Sequence, residues 1–220
     1  MKGLAYIVLI LLGIYGFWEL KYPSDSFRYK LTLVVDDNGK VITASSVRQV
    51  TVRNGPKFTP ESNPDVNLKG EAMVVDLGEK GVLFVVLRSE SDIDYGYRIA
   101  FETFPELGGT GNGISKYGEF KAKRELGFDK LPMLVWFRDI NDPKTVGWVD
   151  PNDLEKTFGK GVKLVSATIE MTDERVTTGI EKGLTWLQAW RKGGGTISGK
   201  FYSDNPSPEE LLILSDFIRE

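Results

Sequence analysis

The sequence predicts an α+β fold: a mostly antiparallel sheet built from hairpins, with three or four helices on one face, preceded by one N-terminal transmembrane helix. Three observations carry this prediction. Apolar residues alternate with polar ones in period two through the first half of the chain, broken by tight-turn signals. Helical spacing appears later, mixed with further strands rather than alternating regularly with them, which favours segregated helices over a parallel βαβ sheet. An uncharged apolar run, Gly3 to Trp18, opens the chain.

That run follows Lys2 and trails into Tyr15, Phe17, Trp18 and Tyr22. At about 1.5 Å per residue, extension to Leu20 approaches the roughly 30 Å of a bilayer core. A retained anchor, a cleaved signal and a buried core helix are the alternatives. Gly13 and Gly16 are interspersed with Ile14, Tyr15, Phe17 and Trp18, a poor peptidase site, so retention is favoured. Lys21, Arg28 and Lys30 beyond the run oppose export on a positive-inside count, yet long domains translocate largely regardless of such charges. The expected location is the bacterial inner membrane, single-pass, with the C-terminal domain periplasmic. The expected division is an anchor over 1–22, a globular α+β domain over 26–192 and a Gly-hinged tail with a terminal helix over 193–220.

Phe27, Tyr29, Leu31, Leu33 and Val35 form the apolar face of a half-buried strand. Asn38-Gly39 marks a hairpin turn, and Val41 to Val52 returns as the partner. Residues 53–69, with Pro56, Pro60 and Pro64, read as a loop. Ala72–Leu77 and Val82–Arg88 form a second hairpin around Gly78-Glu79-Lys80-Gly81. Ser89 to Phe104 is helical in spacing, with Asp92 as cap and Ile93, Tyr97, Ala100, Phe101 and Phe104 on one face. Leu134–Arg138 is a strand, and Asp139 to Pro143 is turn-like. Asp150-Pro151-Asn152-Asp153 starts a short helix that Gly159 ends, and Val162 to Met171 is a strand. Thr177 or Thr178 caps a helix carrying Ile180, Leu184, Leu187 and Trp190. Gly193-Gly194-Gly195 is a hinge, followed by a short strand near Lys200–Tyr202. Ser207-Pro208-Glu209-Glu210 is a capping-box start for the terminal helix.

Composition removes several chemistries. The chain has no His and no Cys, so triads using either, thiolate sites and His-ligated metals are excluded. The formal charge is −3 and basic residues are interspersed with acids, so no nucleic-acid stripe exists.

Asp139 to Val146, Val149 to Leu154 and Val176-Thr177-Thr178-Gly179-Ile180-Glu181, with Phe27 to Thr32 and Ser45-Ser46-Val47, resemble an uncharacterised family of proteobacterial proteins with an N-terminal signal or anchor segment. The resemblance covers roughly residues 26–187 and implies an envelope setting, with no activity and no catalytic residues to carry over.

The remaining candidate sites are weak. Gly108 to Lys116 is Gly-rich, but Ile114 occupies the place a phosphate loop reserves for Lys. Asp139, Asn141, Asp142 and Asp150 are candidate oxygen ligands for Ca²⁺, though Lys144 stands where an EF-hand requires Gly. Glu102/Glu106 and Asp92/Asp94 are candidate carboxylate pairs. Ser45-Ser46 with Lys30 or Lys40 lacks Ser-x-x-Lys spacing. Trp136, Trp148, Trp186 and Trp190 are candidates for an aromatic patch, with core packing as the competing role. The sequence therefore leads to a membrane-anchored, non-enzymatic module without a cofactor, contacting the membrane through residues 1–22 and a protein partner in the envelope. The alternative is a carboxylate-based envelope hydrolase acting on glycan or peptide.

Overall fold

The computed structural model describes residues 2–22, 24–53, 55, 64–108, 119–200 and 206–220, and within the first helix the side chains of 6–17 and 21. After helix α1 (Lys2–Lys21), the long strands β1 (Ser24–Asp37) and β2 (Lys40–Arg53) form an antiparallel hairpin. Asp37 pairs with Lys40, so the loop is two residues, Asn38 and Gly39, at φ 51° and 88°. Those angles match the right-handed twist of the strands and are the reason Asn-Gly signals this turn. The Asn38 N–H donates to the Gly161 carbonyl at 3.1 Å, docking the turn on the loop ahead of β9 (Val162–Met171). Strands β3 (Asp65–Glu71), β6 (Lys123–Glu125) and β10 (Ile218–Arg219) complete a six-stranded sheet in the order β10-β3-β2-β1-β9-β6.

A second sheet of four short strands has the order β4-β5-β7-β8, from β4 (Met73–Asp76), β5 (Val82–Val85), β7 (Leu134–Phe137) and β8 (Val146–Trp148). Its inner face, including Met73, Val75, Leu83 and Val85, packs on Phe27, Leu31, Leu33 and Val35 of the large sheet. Helix α2 (Tyr95–Thr103) joins this core through Ile99 and Ala100. The outer face, Phe84, Val135 and Phe137, packs on Ile180, Leu184, Leu187, Leu212 and Phe217 to form a second core. Strands β5 and β7 are thus buried on both faces, which explains why they read as continuous apolar runs. Val74, on the edge strand β4, is exposed.

A polar bridge crosses the first core. Arg48, on β2 opposite Tyr29 on β1, is fully buried. Its Nη2 donates to the carbonyls of Val85 (3.2 Å) and Val86 (3.4 Å), and its Nη1 to the Tyr29 hydroxyl (3.5 Å). Tyr29 in turn donates to the Gly96 carbonyl at the start of α2. Burial raises the Tyr29 phenol above its usual pKa, and the Arg48 cation opposes that rise.

Several expectations are corrected. No helix among the described residues is long and apolar enough to cross a membrane. The transmembrane-helix expectation is therefore withdrawn. The loop expected over 53–69 contains β3, whose Val66 and Leu68 pair with Val52 and Val50 of β2. Helix α2 begins at Tyr95, and Asp92 accepts from the Asp94 N–H instead of capping it. Ile99 rather than Ile93 faces the core, and Ile93 is exposed. Asp150 likewise forms a local turn by accepting from the Asn152 N–H, and helix α3 starts at Glu155, ending before Gly159 as expected (Glu155–Phe158). Thr177 is a strand-edge residue: its N–H donates to the Val47 carbonyl and its hydroxyl accepts from the Val47 N–H. Ile180–Lys182 is a 3₁₀ turn and helix α4 (Trp186–Gly193) follows from Thr185. The Ser207/Glu210 capping box is present, but α5 (Pro208–Leu211) is one turn. Phe217 and Ile218 then leave helical geometry so that β10 can pair with β3. Residues 201–202 of the expected short strand lie outside the described residues.

Gly96 marks where packing leaves no slack: a Cβ there would lie 2.5 Å from both Leu68 Cδ2 and the Leu87 carbonyl oxygen. Gly96→Ala is therefore expected to lower the unfolding free energy by about 1–3 kcal/mol through overpacking. Gly193→Ala, with nothing within 4 Å, serves as the control in the same denaturant titration. Equal stability of the two variants would contradict this packing.

Candidate functional site

A cleft of about 620 Å³ lies between the start of α2 and the β7–β8 hairpin. Three aromatic residues line it. Tyr95 opens α2, and its hydroxyl donates to the Lys130 carbonyl at 2.8 Å. Phe128 belongs to the 3₁₀ turn Phe128–Lys130, and Trp148 ends β8, about one third exposed. Leu131, Met133 and Leu134 form an apolar floor, tied to the small sheet by the Met133 N–H donating to Arg88 (2.8 Å) and the Val86 N–H donating to Met133 (3.1 Å).

Glu90, Asp129 and Asp150 stand around this floor, and no Lys or Arg side chain lines it. Among the described residues, none of these three carboxylates has an ion-pair partner. Asp150 is oriented by the Asn152 backbone N–H (2.8 Å) and side-chain amide (3.2 Å). The Tyr95 phenol is pushed up to about 12, first by burial and then by the nearby charges of Glu102 and Asp129. The cleft is thus aromatic, apolar below and negative around its rim. The Ser89 hydroxyl accepts from the Asp92 N–H.

The structure separates the four candidate cation ligands. Asp139, Asn141 and Asp142 lie in the turn between β7 and β8, while Asp150 follows β8 at the other end of that hairpin, about 10 Å away at three residues of strand rise. Asp139 Oδ1 accepts from the Asn141 N–H at 2.9 Å and Asp142 Oδ1 from the Lys144 N–H at 3.0 Å, so both acids build the turn. Among the described residues no group of three or more acidic side chains is placed to hold a metal ion. Residues 109–118 of the Gly-rich stretch lie outside the described residues.

Members of the proposed carboxylate pairs instead pair with cations. Asp92 pairs with Arg98 at 2.9 Å, Asp94 with Arg219 at 3.4 Å, and Glu106 with Arg124, whose cation lowers the Glu106 pKa. Ser46 is buried and donates to the Glu71 carbonyl, and Lys30 pairs with Glu170 and Glu174, so no Ser-Lys pair forms. Trp186 and Trp190 pack against Phe217 in the second core, and Trp136 packs edge-on to Phe158. Of the four, Trp148 alone lines the cleft.

Tyr95, Phe128, Glu90 and Asp129 were not legible as site residues. Their proximity follows from β8, which pairs Trp148 with Val135 and so brings residues 148–152 beside 128–134. The paired Asp/Pro turns on either side of that hairpin were the available signal. No family model, curated protein or solved structure matches the chain, so its chemistry must be argued from the site itself.

One acid has a strongly raised pKa, and it lies elsewhere. Asp216 is fully buried in the tail and pushed up to about 6, chiefly by burial, against the opposing Ile213 N–H, Arg88 and Arg219. Its nearest cation, Arg88 Nη1, is 3.7 Å away. The folded chain therefore keeps this proton to about pH 6, whereas the unfolded chain releases it near 3.8. Between those values the native state binds more protons, and stability falls as pH rises. Wild type is expected to lose up to about 2 kcal/mol relative to Asp216→Asn between pH 4 and pH 6. Parallel stability curves in denaturant titrations across that range would contradict the assignment.

Proposed function

We propose that this chain is a non-enzymatic protein-interaction domain held at the bacterial inner membrane, with its globular part on the periplasmic side. The observation that carries this reading is the uncovered surface of α1. Ile7, Leu9, Ile10, Leu11, Leu12, Ile14 and Phe17 are each 56–64% exposed, around the whole helix rather than on one face. Burial of a large apolar side chain is worth roughly 1.5–3 kcal/mol, so leaving these in water is costly. A helix apolar on all sides requires an apolar surrounding, not a single groove.

Lys21 supports the same reading. Its ammonium lies 5.8 Å from the Phe17 ring and 5.5 Å from the Tyr22 ring, an aromatic and basic pairing suited to a lipid interface. The attachment proposed here lodges α1 in the membrane without crossing it. The proteobacterial resemblance over 26–187 accords with an envelope setting. The cleft, with its aromatic rings, is the surface that meets the partner. A carboxylate hydrolase has less support, because the acid with the raised pKa, Asp216, is sealed in the second core.

Flotation with phosphatidylethanolamine/phosphatidylglycerol vesicles tests the attachment. The full chain is expected to rise with the vesicles, and Leu9→Lys with Leu12→Lys to reduce the floated fraction at least tenfold. Wild-type chain remaining at the bottom of the gradient would overturn the reading. In spheroplasts, external protease is expected to digest the domain, and protection until lysis would overturn the periplasmic placement.

A further inference from the structure

We propose that the cleft between α2 and the β7–β8 hairpin receives a lysine or arginine side chain from an extended segment of a partner protein. This rests on the interaction-domain reading and names the chemistry of its partner. The first argument is charge. The lining carries Glu90, Asp129 and Asp150 and no basic side chain, and none of the three is neutralised by an ion pair among the described residues. Acids elsewhere on this chain show that such carboxylates hold Lys and Arg side chains: Asp37 pairs with Lys80, Asp92 with Arg98 and Asp173 with Lys121. An anionic ligand would meet repulsion here, and a cation would supply the missing partner.

The second argument is the wall. Tyr95, Phe128 and Trp148 present aromatic surface in the same cavity as the carboxylates. Aromatic faces attract ammonium and guanidinium groups, while the methylene stem of Lys or Arg gains apolar contact along the way. A bare metal ion would use the carboxylates but neither the rings nor the apolar floor. The negative field reaches the wall itself, since Asp129 is among the charges holding the Tyr95 phenol in its neutral form.

The third argument is shape. A cleft of about 620 Å³ falls within the usual range for a recognition pocket. Strand β8 ends the small sheet, and no described strand pairs with its outer side. Trp148, Val149 and Asp150 carry that edge directly into the cleft. Helix α5 lies against β8, so an extended segment reaches the cavity along Trp148, Val149 and Asp150 rather than by adding a strand to the sheet.

The test uses the full chain in detergent micelles, immobilised, with pools of acetylated and amidated seven-residue peptides. Each pool has a fixed central Lys, Arg, Gln or Glu and randomised Val, Leu or Thr elsewhere. Lys and Arg pools are expected to be retained at least tenfold over the Gln pool, and the Glu pool not at all. Glu90→Gln with Asp129→Asn is expected to reduce retention of the basic pools at least tenfold, and Trp148→Ala to do likewise. Asp65→Asn on β3 serves as the control that leaves retention unchanged. The carboxamide double variant preserves side-chain size, so it decides the matter even if Trp148→Ala fails to fold.

Equal retention of the Gln and Lys pools would overturn the proposal. So would binding of spermidine, or of ethanolamine headgroups in vesicles, without binding of any basic peptide, because the cleft would then be a small-amine site. Loss of vesicle flotation with retained peptide binding removes the membrane attachment and leaves the cleft assignment intact. Flotation without peptide selectivity does the reverse.

Discussion

The buried guanidinium of Arg48 is the constraint around which this fold is arranged. A cation taken out of water is costly unless its donors are satisfied, and no carboxylate among the described residues approaches it. Its acceptors are instead the carbonyls of Val85 and Val86 and the hydroxyl of Tyr29. Those groups sit on different sheets, so the two terminal nitrogens of one side chain tie the sheets together, while Nε has no acceptor among the described residues. Tyr29 passes the constraint on to the Gly96 carbonyl, and the Gly96 N–H donates to Leu87 at 2.9 Å. The start of α2 is therefore set from inside the core. Tyr95, one residue earlier, inherits that position and fixes the 128–130 turn through Lys130. The cleft wall is the surface end of an interior hydrogen-bond chain.

Much of the sheet scaffold was legible in the sequence because its strands are long or their turns are chemically explicit. The alternation of Phe27 to Val35, the Asn38-Gly39 turn and the Val162–Met171 strand all depend on local pattern. The less legible elements depend on pairing partners. Strand β3 has the mixed sequence Asp65-Val66-Asn67-Leu68-Lys69-Gly70-Glu71 and is a strand because β2 and β10 flank it. Strand β8 is three residues and gains its identity from β7. Asp92 and Asp150 looked like helix caps because the same carboxylate chemistry that caps helices also closes turns. The N-terminal run suggested a membrane-crossing helix, but no helix among the described residues is long and apolar enough to cross a membrane.

The site was less legible than the fold for a related reason. Its residues come from α2, a 3₁₀ turn and the end of β8, and none forms a motif with another. Trp148 was recognisable as a candidate aromatic, but nothing local distinguishes it from Trp136, Trp186 and Trp190. Absence of His and Cys narrowed the chemistry from the start, and the cleft offers rings and carboxylates. The apolar helix and the acidic cleft are the two features on which the proposed interaction role rests.

The central claim is that the Arg48–Tyr29 bridge positions the cleft as well as the core. Site-resolved amide hydrogen exchange on Tyr29→Phe tests it most directly, because the substitution removes the hydroxyl and keeps the ring. The account predicts faster exchange at the Gly96, Lys130 and Leu131 amides, with the Asn38 and Gly39 amides at the far end of the β1–β2 hairpin unchanged. Unchanged exchange around the cleft, or a uniform increase across the whole chain, would contradict it.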